Sequence, residues 1–141
     1  MNVTQISVFL ENKTGQLAEV TRWMAQHGVN LRAVSIADSQ DFGILRVIAE
    51  NPEQMLKNLS DEGYTAIATQ VLAVALPDKP GSMAKILGVL SEANVAVEYT
   101  YAFISRREQE AIMIFRVDDN NVAQTALSSA GIRVVSQQEI F

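Results

Sequence analysis

Residues 6–31, ISVFLENKTGQLAEVTRWMAQHGVNL, and residues 72–97, LAVALPDKPGSMAKILGVLSEANVAV, are two versions of one pattern. At an offset of 66, Gly15 falls on Gly81, Leu17 on Met83, Val20 on Ile86, Met24 on Leu90 and Val29 on Val95. Farther on, GILRVIAEN (43–51) matches AIMIFRVDDNN (111–121), with Ile44 on Ile114, Arg46 on Arg116 and Val47 on Val117, now 70 apart. A repeat of this length is a domain rather than a solenoid turn, so the chain is expected to form two domains, 1–70 and 71–141. The four extra residues of the second copy, around SRREQE, belong at a solvated hairpin tip.

Within each copy the periodicity changes in the same order. Ile6, Val8 and Leu10, then Leu72, Val74 and Leu76, alternate as half-buried strands do. After the glycine, Leu17, Val20 and Met24, and Met83, Ile86, Leu87 and Leu90, recur at the three-and-four spacing of an amphipathic helix ending near Gly28 or Asn94. Strands over about 29–37 and 43–49, and over 95–104 and 111–117, come next. A helix over about 52–62 or 119–130 then leads past Gly63 or Gly131 into a last strand. The order βαββαβ predicts an α+β class, with two tandem ferredoxin-like domains, each an antiparallel sheet with both helices on one face. Between the copies, YTAIATQVLAVALP (64–77) has no Gly or Pro before Pro77, so an extended run is expected to join them without a loose tether.

Composition narrows the function. A chain of 141 residues that is 48% hydrophobic can build real cores. The net charge of −5 and the scattered Lys and Arg argue against nucleic acid. There is no cysteine, hence no disulfide, thiol nucleophile or usual structural zinc site. No run approaches a membrane span and no signal-peptide pattern opens the sequence, so a soluble cytoplasmic protein with no membrane partner is expected.

Candidates for catalysis are weak. His27, the only histidine, closes the first helix, where a cation is ordinary. Asp118 and Asp119 open a helix and lack a ligand set for a metal. Ser82 has no histidine partner for nucleophilic work. We therefore expect no enzyme, no metal and no cofactor.

The βαββαβ order, the loop LPDKPGSMAKI with Pro80 and Gly81, and the strands NLRAVSI and VAVEYTYA resemble the ACT domain, an amino-acid-sensing regulatory module. The chain is similar to the small stand-alone tandem ACT proteins of bacteria. The first copy departs from the loop pattern, with Thr14 where Pro is usual. The resemblance implies a ligand between this loop and the start of the second strand of a neighbouring domain. In the first copy the matching positions are Asn12, Gly15, Gln16 and Leu17 with Asn30 and Leu31; in the second they are Asp78, Gly81, Ser82 and Met83 with Ala96 and Val97. Gly15 and Gly81 suit that role, because a residue without Cβ can take positive φ and let a carboxylate approach the amides of the helix start. Asn12 and Asn30 are candidate zwitterion partners, and Asp78 a candidate for the ammonium group.

In the second copy, Val97, Tyr99, Tyr101 and Phe103 are expected on one face of their strand, while Ile112 and Ile114 alternate with Met113, Phe115 and Val117. Helices cover one face of such a sheet, so the other must meet a second sheet, a second chain or a partner enzyme, and a homodimer is expected. Two readings of function remain: a sensor that binds a small ligand, an amino acid, and modulates an enzyme of amino-acid metabolism, or a structural subunit that contacts a partner enzyme without binding a ligand. The sequence names neither the ligand nor the enzyme.

Overall fold

The computed structural model describes residues 1–141 apart from Asn12, 39–41 and 106–107. The elements run β1 (Val3–Glu11), α1 (Gln16–Gln26), β2 (Ala33–Asp38), β3 (Phe42–Ile48), α2 (Pro52–Asp61), β4 (Thr65–Pro77), α3 (Ser82–Glu92), β5 (Val97–Phe103), β6 (Glu110–Val117), α4 (Asn120–Ser129) and β7 (Arg133–Val135). Two compact units result, Thr4–Thr69 and Gln70–Phe141, with Met1–Val3 grouped in the latter. β4 is a single 13-residue strand whose first part belongs to the first unit and whose second part belongs to the second.

In the first unit the strand order is β2-β3-β1-β4. β3 pairs antiparallel with β1 (Val8 opposite Leu45) and with β2 (Ile36 opposite Leu45). Ile6, Val8 and Leu10 pack with Val20, Trp23 and Met24 of α1 and with Met55 and Leu59 of α2, the expected helix-covered core. The stripe of α1 is rotated from the expected one: Trp23 is buried, whereas Leu17 is exposed.

In the second unit the order is β5-β6-β4-β7. Leu72, Val74 and Leu76 of β4, Phe115 and Val117 of β6, Ile86 and Leu90 of α3 and Ala123 and Leu127 of α4 form its core. Asp119 caps α4 from the residue before it: its carboxylate accepts a hydrogen bond from the Val122 amide at 3.1 Å.

The β5 face differs from the expected one. The register slips between Val97 and Tyr99, so that Val97 lies opposite Val117 while Tyr99 lies opposite Arg116. The extra residue, Glu98, forms an ion pair with Arg116 at 3.1 Å. A bulge of one residue reverses alternation, so Val97 packs against the helix-covered core, while Tyr101 and Phe103 share the far face with their partners Ile114 and Ile112. That far face is already buried within one chain: Tyr101 is 9% exposed, Phe103 6% and Ile114 0%. The C-terminal segment contributes, with Ile140 buried and the Phe141 ring edge-on to Phe103 at 6.4 Å. This face therefore leaves little apolar surface for a second chain, and the expectation of a homodimer loses the support it drew from here.

Candidate functional site

Each unit passes from its first strand to its first helix through a glycine in the left-handed region. Gly15 has φ 92° and Gly81 φ 90°, and each is the N-cap of its helix with no side chain capping it. The turns are built alike. The Lys13 amide donates to Glu11 O at 2.9 Å and the Lys79 amide to Pro77 O at 2.9 Å, while Gln16 and Ser82 donate to Lys13 O and Lys79 O. Pro80 before Gly81, and Thr14 before Gly15, do not change this geometry. A Cβ at Gly81 would meet nothing within 4 Å, so glycine is required there by its dihedral angle and not by crowding. Gly81→Val is accordingly expected to cost about 2 kcal/mol of unfolding free energy from backbone strain alone, read by urea denaturation. A stability within a few tenths of the parent's would show that the turn relaxes to negative φ.

In the second unit this turn opens onto a cleft of about 640 Å³. Gly81 and Ser82 line it, as do Lys79, Lys85, Glu110 and Arg133. Ser82 Oγ is shielded from solvent and has no hydrogen-bond partner among the described residues. Arg133 and Glu110 are ion-paired at 2.9 Å. Asp78 stands outside the lining; its amide donates to Gln109 O at 2.9 Å and its side chain is exposed. Met83 packs against the core. In the first unit, Gln16 and Leu17 line a pocket of only about 120 Å³ with Ile36 of β2, and Asn12 lies outside the described residues.

The strand-start positions lie elsewhere. Pro77 is opposite Glu110 and Val97 is opposite Val117, seven residues farther along β6, or roughly 23 Å at about 3.3 Å per residue. Ala96 and Val97 are thus at the opposite end of the sheet from Gly81, where they line a separate hollow with Asp118. The Ala96 amide donates to Asp118 Oδ1 at 3.0 Å, and the Asp118 amide returns a bond to Ala96 O at 3.2 Å, which gives Asp118 a structural task. Asn30 lines a small pocket of about 130 Å³ with Gln54 and Asn58, and Leu31 packs against the first core. No single unit brings its loop and its strand start together.

His27 stacks on Trp23 at 4.1 Å, and its Nδ1 lies 2.9 Å from Trp23 O, so it serves the end of α1. Among the described residues, no cluster of three or more His, Asp or Glu is arranged to hold a metal, and no helix is long and apolar enough to cross a membrane. Lys85, Glu110 and Arg133 were not singled out from the sequence. The repeat did hold a signal for one of them, because Lys85 falls on Glu19 at the offset of 66, a reversal of charge in otherwise matching helices.

Comparison with known proteins identifies the family of the fold. The family description ACT domain pair matches residues 1–141. Protein BT0572 from Bacteroides thetaiotaomicron is 34% identical, with a TM-score of 0.92 over 99% of this chain and 96% of that one. The regulatory subunits of aspartate kinase from Thermus thermophilus (16% identity, TM-score 0.67, 91% and 90% covered) and from Thermus flavus (15%, 0.61, 93% and 94%) share the fold. Among curated proteins there is no match. With the family match spanning both repeats from Met1 to Phe141, the chain belongs to the family of ACT domain pairs.

Proposed function

We propose that this chain is a non-catalytic regulatory module of the cytoplasm that binds an amino acid at ACT domain interfaces and modulates an enzyme of amino-acid metabolism. One observation carries the reading: both units place a left-handed glycine at a helix N-cap that no side chain occupies, and although the Gln16 and Ser82 amides turn back to Lys13 O and Lys79 O, the next amides of the first turn are left to an anion. The regulatory subunits of aspartate kinase that share this fold support the regulatory role. The proposed contacts are Asn12, Gly15, Gln16 and Leu17 with Asn30 and Leu31, and Asp78, Gly81, Ser82 and Met83 with Ala96 and Val97. Because loop and strand start lie at opposite ends of a unit's sheet, a complete site of this kind takes its second half from another domain, and we propose a homodimer as the assembly. The outer strand β2, with Val34 44% and Ile36 55% exposed, suits edge-to-edge pairing.

A thermal-shift screen of the full chain against the twenty amino acids tests this. A true ligand at 100 times its Kd adds about 2.7 kcal/mol of stability, a clear rise in melting temperature. If no amino acid moves the transition, the chain is instead a structural subunit that contacts its enzyme without a ligand.

A further inference from the structure

Asp118, Asp119 and Asn120 follow one another where β6 gives way to α4, and each side chain holds a different element. Asp118 Oδ1 accepts the Ala96 amide at 3.0 Å and the Asp118 amide donates to Ala96 O at 3.2 Å, so both backbone groups of the residue before β5 are tied to it. Asp119 caps α4 through the Val122 amide. Asn120 Nδ2 donates to Gln70 O at 3.1 Å. Three adjacent residues thus join the start of β5, the start of α4 and β4.

A second route from β5 ends on the same carbonyl. Arg116 pairs through Nε with Glu98, the extra residue of the bulge, while its Nη1 lies 3.5 Å from Gln70 O and 3.3 Å from Val117 O. Gln70 is the first residue of β4 in the second unit, and the ladder to β6 starts two residues on, with Leu72 opposite Phe115. These contacts lie at the surface, with Asp118 and Asp119 exposed and the Arg116 and Glu98 side chains 33% and 49% exposed. Such bonds contribute little to stability, so their convergence on one stretch of backbone asks for another reason. Asn120 Oδ1 is also shielded from solvent with no hydrogen-bond partner among the described residues, an unfavourable arrangement kept together with the Nδ2 bond to Gln70 O. At the same junction of the first unit stand Glu50, Asn51 and Pro52. Asn51 is the N-cap but its side chain makes no capping bond, and Pro52 has no side-chain donor.

We infer that residues 116–120 are a conformational coupler built into the second unit. A change in the backbone at Ala96 and Val97 passes through Asp118 and Asn120, and through Glu98 and Arg116, to β4 at Gln70, and a change at Gln70 passes back by the same bonds. The α4 cap fixes the three consecutive residues, so Asp118 cannot follow Ala96 without moving Asn120. β4 begins in the first unit, so the state of one strand start in the second unit reaches a strand in which both units share. The coupler is a property of the free chain; it goes beyond the amino-acid reading and does not depend on it.

Amide hydrogen exchange of the full chain, read residue by residue by NMR, tests the coupler in Asp118→Ala, Asn120→Ala and the double variant. Two references accompany them: Asp118→Asn, which keeps an Oδ1 acceptor, and Arg133→Ala, which breaks an ion pair of similar exposure elsewhere in the unit. Asp118→Ala is expected to speed exchange at Ala96 and also at Val71 and Leu72, and Asn120→Ala at Val71 and Leu72 and also at Ala96, each by about fivefold or more. The double variant is expected to exchange at Val71 about as fast as the faster single variant, because both substitutions cut one connection. Asp118→Asn and Arg133→Ala are expected to leave these amides within about twofold of the parent. Asp118 is exposed, so its variants leave the core intact. Exchange that rises only beside each substitution, that rises in the double variant as the product of the single effects, or that rises equally at Ile114 in the middle of β6 overturns the coupler and leaves the amino-acid reading untouched.

Discussion

Replacing Phe115 by alanine is expected to lower unfolding free energy by about 3–5 kcal/mol, the largest loss anticipated from any single truncation in the second unit. Phe115 is fully buried, lies opposite Leu72 on β4 and Thr100 on β5, and joins both strands to the core beneath α3 and α4. Its removal takes away both the transfer free energy of an aromatic ring and the contacts of the residues around it, and a sheet held on both sides has little room to collapse into the void. Urea denaturation followed by circular dichroism measures the effect, with Thr100→Ala, on an exposed position of the neighbouring strand, as a control expected within about 0.5 kcal/mol. A loss below about 1 kcal/mol for Phe115→Ala would mean that the core closes over the gap.

Tyr101→Glu is expected to cost about 2–4 kcal/mol, because a carboxylate would replace a ring that is 9% exposed and lies beside Ile114. The mass in solution should not change, since this face is covered by the chain's own segments rather than by a second copy. Sedimentation or light scattering together with a melting curve separates the possibilities. A smaller mass with an unchanged melting temperature would make Tyr101 an intersubunit residue after all, and the covering seen in one chain would then be incomplete.

Much of this fold could be read from spacing alone, and the reasons are local. Ile6, Val8 and Leu10 alternate without interruption and bury together. Asn94, at φ 58°, ends α3 as Gly28, at φ 70°, ends α1, because both residue types tolerate the left-handed region. The misreadings arose where a local pattern depends on distant partners. Nothing in VEYTYAF announces that Glu98 is extra; the bulge exists because β5 must pair with β6 on both sides of it, and so Val97 lies on the face opposite to the one its spacing predicts. The rotation of the α1 stripe from Leu17 to Trp23 likewise reflects where the sheet and Tyr64 offer cover. At the candidate site, the glycines were legible because positive φ is nearly their privilege, whereas the cleft was not. Its walls come from α3, the start of β6 and the α4–β7 turn, which only the antiparallel register assembles.

β4 also bears on how such chains are inherited. A strand that finishes one repeat and begins the next within 13 residues leaves no connecting loop between them. Recombination that moved one repeat alone would have to cut through a strand and expose unpaired backbone at the break. Insertions of the sort that lengthen surface loops have no neutral place there either, since each added residue reverses the alternation of everything after it. The two repeats are therefore bound to travel through evolution as one heritable piece, free to diverge in their clefts but not to separate, and the family match covers the pair as a single stretch.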